Sequence, residues 1–139
     1  MAKPEPHRGF TIGVELVPGA TLAQARGLER CIEDYADAHE LQIAGHHLTY
    51  VVSAADRGLT AVDQVDLLDW LTDQPWVRNV RLSPLALSDT PATWSEGFLL
   101  VASCDVPVIG LKLLYRCRRI TAEQYLQILG GFVRPLTVH

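Results

Sequence analysis

The order of sequence patterns between residues 9 and 84 constrains this chain most: strand, capped helix, strand hairpin, second capped helix, strand. In residues 10–17, Ile12, Val14 and Leu16 alternate with Thr11, Gly13 and Glu15, which puts one apolar face against a core. Pro18-Gly19 stops that strand. Thr21 followed by Gln24 has the spacing of a capping box, in which each side chain satisfies an orphan backbone donor of the other residue. The helix it opens carries Leu22, Ala25, Leu28, Ile32, Tyr35 and Ala36 at three- and four-residue spacing and ends near His39. Residues 41–44 and 48–53 read as two strands turning at Gly45-His46, because glycine tolerates the positive φ of a tight hairpin. Thr60 and Asp63 open a second helix with Val62, Val65, Leu68, Leu71 and Trp70 as its buried stripe, and Pro75 closes it. A last alternating strand spans 77–82. This βαββαβ order predicts an α+β fold, a ferredoxin-like sandwich with two helices on one face of an antiparallel sheet.

A tail follows, entered through a Ser-, Pro-, Asp- and Thr-rich linker from Ser83 to Thr93. Residues 97–103 add a strand, and Asp105 with Pro107 starts a helix whose 109–119 stretch holds Leu111, Leu113, Leu114 and Tyr115. Thr121 with Gln124 repeats the capping-box pattern, and Gly130-Gly131 ends that last helix. At 139 residues the chain supports one good core. The expectation is therefore a single domain, 1–139, with a 9–89 module and a 90–139 strand-helix-helix extension. A hydrophobic content of 48% is high for so small a chain and points to self-association as a homodimer.

No apolar run reaches the roughly 20 residues that span a bilayer, and Lys3-Pro4-Glu5-Pro6-His7-Arg8 lacks the apolar segment of a signal peptide. A cytoplasmic location without membrane attachment is expected. Cys31, Cys104 and Cys117 are odd in number and lack CxxC spacing, so they read as reduced, largely buried thiols.

Several residues carry a family resemblance over about 9–89. Gly9-Phe10 opens the first strand, Pro18-Gly19 precedes a Thr-capped helix, Glu40-Leu41 enters the hairpin and Gly45 sits at its turn. Trp70-Leu71 lies in the second helix, and the 77–82 strand precedes the acidic Asp89. In this pattern the chain resembles the YggL-like family of small bacterial proteins. The resemblance implies a non-enzymatic protein associated with the large ribosomal subunit. The family's strongly basic N-terminal extension is missing here and a tail of roughly 50 residues is added, which suggests a different or extra partner.

Charge narrows the choice of docking surface. The formal net charge is −4, and between Glu29 and Asp73 ten acids face only Arg30 and Arg57. Both module helices are thus read as acidic faces, solvated or docking a basic protein, and unsuited to a polyanion. Lys112, Arg116, Arg118 and Arg119 form the one basic cluster, with no acid among them. Cations near a helix C-terminus also stabilise the macrodipole, yet any contact with RNA or an acidic protein would have to use these four. They are the candidate partner-binding residues, and no DNA partner is expected.

The remaining chemistry is thin. His46-His47, with Asp37, His39 and Glu40, is the one cluster with metal-ligand residue types, but adjacent strand residues point to opposite faces, so no metal site is expected. Cys104-Asp105 sits at a helix start without a histidine nearby, which argues against a thiol nucleophile. Phe10 and Tyr50 lack the basic-aromatic pattern of an RNA-stacking sheet. There is no phosphate-binding glycine loop, serine elbow or HExxH, so no catalytic residue and no cofactor is assigned. Two readings result: a non-enzymatic binding or regulatory protein engaging a macromolecular partner, or a small enzyme or ligand-binding protein with a pocket between the sheet and the C-terminal helices.

Overall fold

The computed structural model describes residues 8–87 and 99–132. Lys3 to His7, the linker from residue 88 onward with Asp89, and Gly97 lie outside them. The chain runs β1 (Arg8–Leu16), α1 (Leu22–Ala38), β2 (Gln42–His46), β3 (Thr49–Ser53), α2 (Ala61–Thr72) and β4 (Val77–Leu82). It continues through β5 (Ala86–Leu87), β6 (Leu99–Ala102), α3 (Val106–Arg116) and α4 (Ala122–Phe132). The architecture is α+β, with antiparallel strands in the order β2-β3-β1-β4-β6, and β5 pairing with the start of β1.

Alternation sets which face is covered. Ile12 lies between Tyr50 of β3 and Leu82 of β4 in register, and all three are buried. α1 turns Leu28, Ile32 and Ala36 onto this face and α2 turns Val65, Leu67, Leu68 and Leu71. The void left between Ile12, Ile32, Tyr50, Leu67 and Leu71 is about 10 Å³, too small to hold a water comfortably, as close packing requires. The tail joins the same core through Val101, Val108, Leu111, Tyr125 and Leu129.

The caps follow the local sequence. Thr21 N–H donates to Gln24 Oε1 at 2.8 Å and Gln24 N–H to Thr21 Oγ1 at 3.1 Å, and Thr121 and Gln124 repeat the exchange at 2.9 and 3.1 Å. At α2, Thr60 N–H donates to Asp63, which Arg57 grips with two hydrogen bonds of 2.9 Å.

Elsewhere tertiary demands override the pattern. The hairpin turns at His47-Leu48, both at positive φ (55° and 62°), and not at Gly45-His46. Leu48 takes this conformation because its side chain is buried and its carbonyl accepts from Val14 N–H at 2.8 Å. Gly45 sits inside β2 at φ 141°, where a Cβ would come within 2.1 Å of the Thr49 carbonyl. Val62 is exposed, and α2 buries Gln64 in its place, with Gln64 Nε2 donating to the Ser83 carbonyl at 2.9 Å. Leu22, at the first turn of α1, is also exposed. Gly130 and Gly131 lie within α4 and do not end it. The three cysteines are exposed, contrary to expectation: Cys31 is off the buried stripe of α1, Cys104 precedes α3 and Cys117 caps it.

Candidate functional site

α2 and the tail meet through charge. Asp66, Asp69 and Asp73 fall at helical spacing on one side of α2, and α3 answers each of them. Tyr115 donates its hydroxyl hydrogen to Asp66 at 2.8 Å, Arg116 Nε donates to Asp69 at 3.0 Å, and a second Arg116 nitrogen reaches Asp73. Lys112 is buried, and its Nζ donates to Thr72 Oγ1 at 2.9 Å and to Asp73, with Asp69 at 3.8 Å. The Lys112 hydrogen bond, aided by Arg116, holds the Asp73 carboxyl below the usual carboxylate range. Its hydrogen bonds to Asp69 and Asp73 push Arg116 further above its ordinary value. Burial, then the bond to Asp66, pushes Tyr115 up to about 12.

This arrangement divides the four basic candidates. Lys112 and Arg116 fasten the tail to α2, so they are occupied within the chain. Arg118 and Arg119 are exposed and form no ion pair among the described residues. They stand at the α3–α4 turn beside an open depression of about 570 Å³, lined also by Tyr115, Arg116, Thr121 and Gln124 and, on its α2 wall, by Asp66 and Asp69, the carboxylates that Tyr115 and Arg116 engage. The α2 acids, read from sequence as a free face, are largely spent on α3. The acidic surface that remains open belongs to α1, where Glu33, Asp34 and Asp37 are exposed, with Glu40 just beyond its end.

The backbone at the two helix ends is informative. After α3, Arg118 N–H donates to the Tyr115 carbonyl at 3.0 Å and Arg119 N–H to that of Leu114 at 2.9 Å, a Schellman motif with Arg118 at φ 57°. After α1, Glu40 N–H donates to Asp37 and Leu41 N–H to Ala36, with Glu40 at φ 56°. Glycine is the favoured residue at both positions. Here they hold an exposed base and an exposed acid.

The other candidates are placed as follows. The rings of His46 and His47 meet edge to face with centroids 4.6 Å apart, and no group of three His, Cys, Asp or Glu able to hold a metal occurs among the described residues. His39 meets Tyr35 edge to face and Tyr35 lies tilted against Trp70, an aromatic row linking α1 to α2. Between the sheet and α4 there is a depression of about 280 Å³ lined by Gln64, Leu82, Ser83, Pro84, Leu99 and Leu126. Its two polar side chains are engaged in the fold: Gln64 with the Ser83 carbonyl, and Ser83 Oγ accepting from Thr11 N–H at 2.7 Å. Among the described residues no helix is long and apolar enough to cross a membrane.

No family model matches the chain, and comparison with curated proteins and with solved structures returns no match.

Proposed function

We propose that this protein is a cytoplasmic, non-enzymatic binding module whose docking groups for an anionic macromolecular surface are Arg118 and Arg119. The strand order β4-β1-β3-β2, with α1 and α2 on one face, supports reading the first part as a ferredoxin-like sandwich extended by β6, α3 and α4. The observation that carries the reading is Arg118 itself. Its left-handed position favours glycine, as Glu40's does, but Arg118 stands exposed and without an ion pair among the described residues beside Arg119 at the mouth of a depression, which supports a docking role for its side chain. The YggL-like resemblance supplies the partner proposed, the large ribosomal subunit.

Co-sedimentation with large subunits at low and moderate salt tests this. Wild type should pellet at low salt and be released as salt rises. Changing Arg118 and Arg119 to Gln should weaken binding and lower the salt slope by about 0.7–0.9 per lost phosphate contact, with thermal unfolding unchanged. Lys112 and Arg116 stay untouched, since they hold the tail. Failure of wild type to pellet at any salt removes the ribosomal partner, and binding that survives the double substitution removes this surface.

A second reading, a basic protein partner, has one specific observation in its favour. The outer edge of β2 pairs with no strand among the described residues, and beside it a depression of about 650 Å³ is lined by Leu41, Ile43 and Ala44 with Glu33 and Asp37 at its rim. β2 carries no lysine, proline or inward charge to block strand addition. An extended basic segment suits that edge, and capture of a lysate on the immobilised chain, with and without Glu33→Lys, separates the two partners.

A further inference from the structure

The outward face of α3 is apolar. Val106 is 79% exposed, Leu113 59%, Ile109 46% and Leu114 44%, while Val108, Leu111 and Lys112 point inward. Val106, Gly110, Leu113 and Cys117 follow one another at spacings of four, three and four, which makes a single seam along the helix. Gly110 lies in the middle of that seam. A Cβ there would meet nothing within 4 Å, so the fold of one chain does not require glycine at a position where it weakens a helix. A close approach from outside would require it.

We propose that α3 packs antiparallel against α3 of a second copy of this chain, crossing at Gly110. Charge selects both the occupant and the direction. The helix is capped by Asp105 at its start and followed at its end by Arg118 and Arg119, whose side chains form no ion pair among the described residues, Arg116 being held by Asp69 and Asp73. Antiparallel pairing sets the acid of each copy against the basic end of the other and opposes the two helix dipoles, and two-fold symmetry uses each contact twice. Parallel pairing would stack base on base and acid on acid. The apolar seam drives the association. The inference goes beyond the ribosomal reading and stands without it, although both engage Arg118 and Arg119, so its test contains no ribosomes.

Two cysteines, one before the helix and one at its end, can report on the pairing. Cys104 and Cys117 are exposed and lie equally far on either side of the Gly110-Leu111 midpoint, so antiparallel pairing brings Cys104 of one copy to Cys117 of the other. In a Cys31→Ser background, a short bismaleimide linker should yield a covalent dimer whose digest contains Cys104–Cys117 links. Cys104–Cys104 or Cys117–Cys117 links in the dimer band would overturn the proposal. Light scattering over a concentration series should show a dimer for wild type. Leu113→Glu should raise its dissociation constant by about 30-fold or more, the scale of a central hot-spot change. Gly110→Gln, which favours the helix while blocking close approach, should also yield monomer with thermal unfolding unchanged or raised. A wild-type monomer at all concentrations, or a Gly110→Gln dimer as tight as wild type, would refute this pairing.

Discussion

α1 turns Leu28, Ile32 and Ala36 toward the sheet and leaves its acids in water, whereas α3 spends Lys112, Tyr115 and Arg116 on α2 and shows Val106, Ile109, Leu113 and Leu114 to solvent. Both helices are amphipathic, but beyond the exposed Leu22 of its first turn α1 has its apolar stripe covered by its own chain, whereas α3 shows four large apolar side chains to solvent. The difference teaches that α3 is fastened by directional charge contacts with α2 beside the buried Val108 and Leu111, on one side of the helix only. That leaves its apolar side available to another molecule.

Three measurements can break or sharpen this contrast. The largest effect should come from truncating the inward faces. Ile32→Ala in α1 should cost about 2–5 kcal/mol in chemical denaturation, and Lys112→Ala should cost about 1–3 kcal/mol by removing the buried tie to Thr72 and Asp73, the latter keeping Arg116. Leu113→Ala on the outer face should stay within about 0.5 kcal/mol for the monomer. A Leu113 cost matching that of Ile32 would mean that α3 is not open on that side.

Next in size is the pH dependence of the α2–α3 contact. Asp73 titrates below its ordinary value in the fold, so its contribution is present above the usual carboxylate range and is lost as pH falls through the folded value. Tyr115 titrates above its ordinary value of 10.0, so its contribution is present below about pH 10 and is lost as pH climbs toward about 12. Thermal melts should therefore weaken at both extremes. Asp73→Asn should flatten the acid side and Tyr115→Phe the alkaline side. If neither substitution alters the profile, the charge contacts do not hold the tail.

The smallest effects should come from the helix ends. Glu40→Gly and Arg118→Gly each relieve a left-handed non-glycine residue and should raise stability by about 0.5–1 kcal/mol. They differ in function: Arg118→Gly should also weaken the anionic partner, whereas Glu40→Gly should not. A stability loss at either position would show that the side chain stabilises its own turn.

What the sequence made legible was local. Thr21 with Gln24 and Thr121 with Gln124 are read from spacing because the partners lie within one turn, and the alternation of β1 and β4 is visible because period two survives one-sided burial. Gly45 misled because its glycine answers a close carbonyl inside β2, while the turn itself is set by burial of Leu48. The matching of Asp66, Asp69 and Asp73 to α3 was hidden because partners some forty residues apart leave no periodic trace. Lys112 and Arg118 look alike in sequence, and only the helix packing separates a buried tie from an exposed docking group. The Schellman ends escaped notice because neither carries the glycine that announces them.

The position of β1 has a consequence for synthesis. It is the hub of the sheet, bonded to β3, β4 and β5, yet it is synthesised before all three. Ile12 must wait for Tyr50 to complete one side and for Leu82 to complete the other, a delay of several seconds at ordinary elongation rates. Until then its apolar face is open, and closure depends on contacts distant in the chain, the kind that slow folding. The first strand made is thus completed only by strands made well after it, β3 on one edge and β4 on the other.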